Sequence, residues 1–185
     1  MMSTSTGLRV LVADLVKRPG SARDLRLVEH VAGLMVGEAA LADEGRIELD
    51  LQLERITEGL VVRGTIGASW SGVCARCLGP VAGELRVAVD ELFEPEPLEG
   101  ETYLLEVDTI DLEPLTRDAL GLEIPLAPVC RVDCAGLCPN CGIDRNTSDC
   151  DCRSDEADSR WAGLANVRFD DETDFDQPSA SPSTD

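Results

Sequence analysis

Residues 46–70 read RIELDLQLERITEGLVVRGTIGASW, and the alternation in this stretch decides the fold. Ile47, Leu49, Leu51 and Leu53 fall on one side of an extended chain, with Glu48, Asp50, Gln52 and Glu54 on the other. A strict period of two marks a strand with one face buried and one in water. Thr57, Glu58 and Gly59 interrupt it, and the period resumes with Leu60, Val62, Ile66, Ala68 and Trp70 on one face. Two alternating runs joined by a short glycine-containing connection predict a β-hairpin.

Working outward, GELRVAVDELF at 83–93 sets Leu85, Val87 and Val89 opposite Glu84, Arg86 and Asp90, a third strand of an antiparallel meander. LRVLVADLV at 8–16 predicts a further strand, ended by KRPGS, and TYLLEVDTI at 102–110 another, after the acidic EPEPLEGE. One helix is expected after that. Asp111 can cap it, Pro114 is tolerated in its first turn, and Leu112, Leu115, Ala119 and Leu122 recur at helical spacing. IPLAP ends it and delivers the chain to Cys130, and SRWAGLANV at 159–167 predicts a second, shorter helix. The fold class is therefore α+β: an antiparallel β-meander with one or two packed helices and a cysteine-rich, zinc-binding C-terminal module. The expected organisation is a sheet plus helix over 1–129, then the cysteine-rich module and short helix, docked on the sheet, over 130–169. The acidic, Ser/Pro-rich residues 170–185 are expected to be disordered.

The charge is extreme. Sixteen Lys and Arg stand against 36 Asp and Glu, a net of −20, and no basic block forms an electrostatic footprint for nucleic acid. A basic protein is the partner such a chain reaches most easily by steering. MMSTSTGLRVLVADLV has Arg9 and Asp14 breaking its only apolar run, so no secretory leader is expected, and no stretch approaches a membrane span. The expected compartment is the cytoplasm, where stable disulfides are rare and cysteine clusters bind metal or do redox chemistry.

Six of the eight cysteines crowd into CRVDCAGLCPNCGIDRNTSDCDC, residues 130–152, and the other two form CARC at Cys74 and Cys77. CARCLG and CPNCG have the form of zinc knuckles, in which a tight turn aims two thiolates at one cation and the following glycine relieves the backbone. Eight cysteines divide into two closed four-thiolate sites with none left over, which predicts two structural zinc ions held by Cys74, Cys77, Cys130, Cys134, Cys138, Cys141, Cys150 and Cys152. A redox CxxC belongs after a strand and at the start of a helix in a βαβ unit, whereas CARC lies between strands of a meander. Paired two-residue gaps favour zinc over an iron–sulfur cluster. An open catalytic zinc site mixes in His or carboxylate, and the one histidine, His30, is distant in sequence. Closure entropy favours Cys138, Cys141, Cys150 and Cys152 as a local site, leaving Cys74, Cys77, Cys130 and Cys134 as a long-range one. The rival arrangement joins the two knuckles, Cys74, Cys77, Cys138 and Cys141, and leaves the other four cysteines together.

No phosphate loop, dinucleotide fingerprint, HExxH or GxSxG occurs, and the strand carboxylates fall on the solvated face, so neither an enzyme nor a small-molecule substrate is expected. EGLVVRGTIGASWSGVCARCLGPV, IDLEPLTRDALGLEIPLAPVC, CRVDCAGLCPNCG and DSRWAGL together resemble the bacterial YceD family, in an arginine-rich, actinobacterial-like form, from about residue 8 to 167. Its members are named large ribosomal RNA subunit accumulation proteins. Where many relatives have Asp-Pro-Arg, this chain has Asp158, Ser159 and Arg160. Relatives also keep different numbers of cysteines, which implies that metal staples the fold and is not the family's working principle. The resemblance implies a non-enzymatic factor in large ribosomal subunit biogenesis. The acidity adds binding of a basic ribosomal protein or assembly intermediate in preference to RNA itself. The other reading is a zinc- or redox-responsive adaptor.

Overall fold

The computed structural model describes residues 7–152 and 159–167. Its elements in chain order are β1 (Arg9–Leu11), α1 (Ala13–Val16), β2 (Ala22–His30), β3 (Met35–Val36), β4 (Ala39–Leu41), β5 (Arg46–Arg55), β6 (Leu60–Val73), β7 (Pro80–Glu94), β8 (Tyr103–Leu104), β9 (Thr109–Asp111) and α2 (Glu113–Glu123). The chain is α+β, with a mostly antiparallel sheet and few helices. β5, β6 and β7 form the expected meander, Ile47 opposite Ala68 and Ala68 opposite Leu85. β2 pairs β5 at one edge, β4 continues alongside β6 beyond the end of β5, and β8 joins β7 in parallel at Phe93 and Glu94.

The inner face carries the core. Ile47, Leu49, Leu51 and Leu53 of β5 are at most 2% exposed, each such side chain contributing about 1.5–3 kcal/mol relative to exposure. Against them pack Leu8, Val12 and Leu15 from the N-terminal segment, and Ile110, Leu112, Leu115 and Leu120 from β9 and α2. The molecule thus has a large sheet covered on one side by the β1–β9 ribbon and the two helices.

Three details differ from expectation. The stretch 8–16 is a strand only over Arg9–Leu11, and then turns helical, with Leu15 and Val16 donating to the Val12 carbonyl at 2.9 and 3.0 Å. The reason lies in spacing: Val12 and Leu15 are both buried, three residues apart, which a helical turn allows and a strand does not. In α2, the Asp111 carboxylate accepts from the Glu113 N–H at 2.9 Å as expected, but Leu122 is 87% exposed. The buried stripe is Leu112, Leu115, Thr116 and Leu120, and Leu122 lies off it. The stretch 102–110 splits between two partners, β8 on β7 and β9 on β1.

β2 was not legible in sequence. Its inward positions are Arg23, Leu25, Leu27 and Glu29, while Val28 points outward, so the apolar alternation is broken at both ends. His30 is exposed at the end of this strand, paired in register with Arg46.

The chain divides into two compact units, Met1–Cys150 and Asp151–Asp185. Most of the cysteine-bearing segment therefore shares a unit with the sheet. In the second unit Ser159–Asn166 forms a 3-10 helix with Trp161 and Leu164 exposed. Asp158 and the acidic stretch 170–185 lie outside the described residues. Among the described residues no helix is long and apolar enough to cross a membrane.

Candidate metal centres

The first knuckle is the turn between β6 and β7. The Cys74 N–H donates to the Gly79 carbonyl at 2.7 Å, and the Leu78 N–H returns to the Cys74 carbonyl at 2.9 Å. The left-handed residue of this turn is Leu78, at φ +58°, and not the glycine after it. The second knuckle repeats the turn: the Gly142 N–H donates to the Cys138 carbonyl at 2.9 Å, and Gly142 itself is left-handed at φ +74°.

Cys130 and Cys134 reach the first knuckle because the chain leaving α2 is tied to it. Ile124 is buried beneath β4 and β6 with Ala39 and Trp70, and the Pro128 carbonyl accepts from the Ala75 N–H at 2.7 Å. The Cys74 Sγ then lies 3.9 Å from Cys134 Sγ, and Cys77 Sγ lies 3.8 Å from Cys130 Sγ. A disulfide would need about 2.05 Å, so both contacts are between unbonded sulfurs. A tetrahedral zinc with bonds of about 2.3 Å sets its sulfurs about 3.8 Å apart, so this group has the dimensions of one four-sulfur cation site.

Electrostatics favour the same filling. The Cys74 thiol is lowered to about 6, by the backbone N–H of Cys77 first, then those of Cys130 and Arg76, against the opposing effect of burial. Cys130 is pushed up to about 12, foremost by its sulfur contact with Cys134, then by burial and by Cys77 and Cys74. Four thiols this close cannot all ionise on their own, and a bound cation would replace the protons they otherwise share.

The second group is Cys138, Cys141, Cys150 and Cys152, whose sulfurs lie within 4.8 Å of one another, as do those of the first group. Cys138 is lowered to about 6 by the backbone N–H groups of Cys141 and Asn140, against burial. This group is the wetter of the two. Cys138 is buried, but Cys141 and Cys152 are exposed, whereas the first group buries both Cys74 and Cys134. The eight thiols are thus gathered as one long-range and one local set, and the arrangement that joins the two knuckles does not occur.

Two residues that sequence reasoning passed over hold the groups in place. The Arg76 carbonyl accepts from the Leu137 N–H at 3.0 Å, and its Nη1 donates to the carbonyls of Val132 and Cys134 at 3.0 and 3.2 Å. A Cβ on Gly136, at φ +71°, would stand 3.0 Å from that Arg76 carbonyl, so only glycine suits this crossing. Asn146 accepts the Ala135 N–H at 2.8 Å and donates to Cys134 Sγ at 3.4 Å, carrying an interaction from the second loop into the first thiol group. Asp144 orients it, accepting from both Asn146 nitrogens. The sequence signal was an Asp-x-Asn run of the kind that builds Asx turns.

Both groups are all-sulfur and complete at four, with no histidine or carboxylate in either among the described residues. Each can hold one cation as a closed staple.

A family model described as "Large ribosomal RNA subunit accumulation protein YceD" matches residues 62–168, a span that contains all eight cysteines. An uncharacterized protein of Mycobacterium tuberculosis is 40% identical over 168 residues, covering 86% of this chain and 81% of its own. Another from Mycobacterium leprae is 36% identical over 140 residues, covering 71% of this chain and 64% of its own. A chloroplastic protein of Arabidopsis thaliana, named large ribosomal RNA subunit accumulation protein YCED homolog 1, is 38% identical over an alignment of 198 residues, covering 88% of this chain and 59% of its own. No solved structure matches.

Proposed function

Because the chain belongs to the YceD family, we propose that it is a non-enzymatic cytoplasmic factor in large ribosomal subunit biogenesis, acting by binding a basic ribosomal protein or assembly intermediate. The family match is the observation that carries this reading, and the net charge of −20 supports the basic partner. Its two thiol groups each hold a structural zinc ion, which when bound supplies folding free energy to a segment with little core of its own. Two such four-thiolate sites add about −4 to the charge, so phosphate contacts become still harder to make.

Affinity purification of the full chain tests this, with a ribonuclease treatment and graded salt washes. A basic large-subunit protein retained after ribonuclease and released by salt is the expected result. Recovery of ribosomal RNA alone, or submicromolar binding of purified large-subunit RNA with a steep salt slope, overturns the proposed partner class. The exposure of Cys141 and Cys152 favours a second reading, an adaptor that changes state when its thiols are oxidised or lose metal. Binding that switches with the thiol state of the wild-type chain supports the adaptor, and binding that does not switch supports the biogenesis factor.

A further inference from the structure

β7 is fifteen residues long and is paired along all of β6, yet on its other side the one strand among the described residues is β8, at Phe93 and Glu94. Among the described residues, positions 80–92 of that edge have no strand beside them. An open row of backbone donors and acceptors is a template for another strand. Two further observations point the same way.

The apolar cover of the sheet runs out at this edge. Inward Leu85 and Val87 of β7 are only half-buried, although their neighbours across β6 in β5, Ile47 and Leu49, are at most 2% exposed. α2 borders the same edge. Asp118 accepts from the Tyr103 hydroxyl at 3.0 Å, and Tyr103 stacks on Phe93 of β7 at a ring separation of 5.2 Å. One helical turn on, Leu122 lies on the same side of α2 as Asp118 and is 87% exposed. Ile124, just past the helix, belongs with Ala39 and Trp70 to a buried cluster against which Val81 and Leu85 of β7 pack, so the C-terminal end of α2, which carries Leu122, lies toward that stretch of β7.

The charge of this groove is one-sided. Glu91 points inward from β7, and its carboxyl is raised by burial first, then by Asp90 and Asp118. Asp90 lies on the opposite face with Arg86, paired with Arg63 at 2.9 Å, so the groove side keeps Glu91 and Asp118 with no cation from β7.

We infer that the free edge of β7 and the Asp118–Leu122 side of α2 form a docking groove for an extended basic segment of a partner protein, which adds to the sheet as a further strand. The partner's alternate apolar side chains fall over Leu85, Val87 and Leu122, and its cations face Glu91 and Asp118. Phosphate has no place beside these carboxylates. The inference rests on the reading of a basic protein partner and specifies where and how it binds.

Titration of the full chain with a peptide of about a dozen residues alternating Arg and Val is the test, with amide hydrogen exchange locating the contact. Binding that slows exchange across residues 81–91 is expected. It should be lost when alternate peptide nitrogens are methylated, and weakened at least about tenfold by Leu122→Lys, which leaves the core untouched and opposes the peptide's charge. Equal binding of the methylated peptide overturns the inference, as does unchanged binding by L122K, protection elsewhere, or pairing of the edge with a second copy of this chain. The two readings fail separately. A ribosomal protein captured equally by wild type and L122K, with β7 unprotected, removes the groove and leaves the biogenesis role. Protection of β7 by the peptide with no ribosomal protein captured does the reverse.

Discussion

Leu78 and Gly142 occupy the same place in two copies of one turn, each four residues after a cysteine whose carbonyl accepts its N–H at 2.9 Å. Both are left-handed, at φ +58° and +74°. One is the residue suited to that conformation, and the other is a leucine with 62% of its surface exposed. A left-handed leucine costs about 1–2 kcal/mol, and its exposure returns little of that through burial.

Substitution separates the two turns. Leu78→Gly should be neutral or stabilising by about 0.5 kcal/mol, since relief of the left-handed cost outweighs the added chain entropy. Gly142→Leu should destabilise by about 1–2 kcal/mol, although nothing lies within 4 Å of its added Cβ, because the cost is conformational. Denaturant unfolding of the metal-loaded chain measures both. A large loss on Leu78→Gly would show that its side chain carries packing within the fold.

The division of the thiols predicts a selective alkylation pattern. In metal-loaded protein carrying Cys150→Ser and Cys152→Ser, Cys130 should stay protected, because its group is completed by Cys74, Cys77 and Cys134. Cys138 and Cys141 should become reactive. Mass spectrometry after timed alkylation reads the outcome, and alkylation of Cys130 as fast as Cys138 would show that the two sets share ligands in solution.

Metal removal should proceed in two steps. Anaerobically purified protein is expected to carry two zinc ions, and a chelator should strip the wetter group of Cys138, Cys141, Cys150 and Cys152 first. Amide exchange should then rise over 136–150 while β5 and β6, whose inward residues form the core, stay protected. Less than one ion per chain, or simultaneous loss of protection in the sheet, contradicts this.

Tyr103 is the only tyrosine, so phenolate absorbance reports on it without ambiguity. Its hydroxyl is raised to about 12, by burial first and then by the hydrogen bond and charge of Asp118, with Glu91 adding to it. A raised folded value means that this contribution to stability is complete below the unfolded value of about 10 and is lost as pH climbs through about 12. Titration should give a midpoint well above 10 in the native chain, moving back to about 10 in denaturant. Tyr103→Phe should flatten the stability profile over that window, and a native midpoint near 10 would mean that the Asp118 contact does not persist.

The meander was legible because β5 and β6 each bury one face against a continuous apolar layer: the inward positions 47, 49, 51 and 53 of β5 are all Ile or Leu, and those of β6 carry no charge. β2 was not, since an edge strand tolerates charge at its ends: inward Arg23 pairs with Asp14 at 3.0 Å, and Glu29 lies against Gly7. Leu122 falls outside the buried face of α2 because hydrophobicity alone does not define that face. Thr116 in fact sits in the core, its hydroxyl donating to the Leu112 carbonyl at 2.7 Å.

By itself the sequence determined the local chemistry: alternating strands, a capped helix, an acidic surface and two knuckle turns, each set by residues within a few positions of one another. Which thiols meet was another matter. Cys74 and Cys134 are 60 positions apart, and the 3.9 Å between their sulfurs depends on β6 ending where α2 releases the chain, on Pro128 meeting Ala75, and on Asn146 reaching back to Cys134. Closure entropy ranks such pairings, but the packing of the helix against the sheet decides them, because distance between remote residues is set by the whole core and by no single stretch of chain.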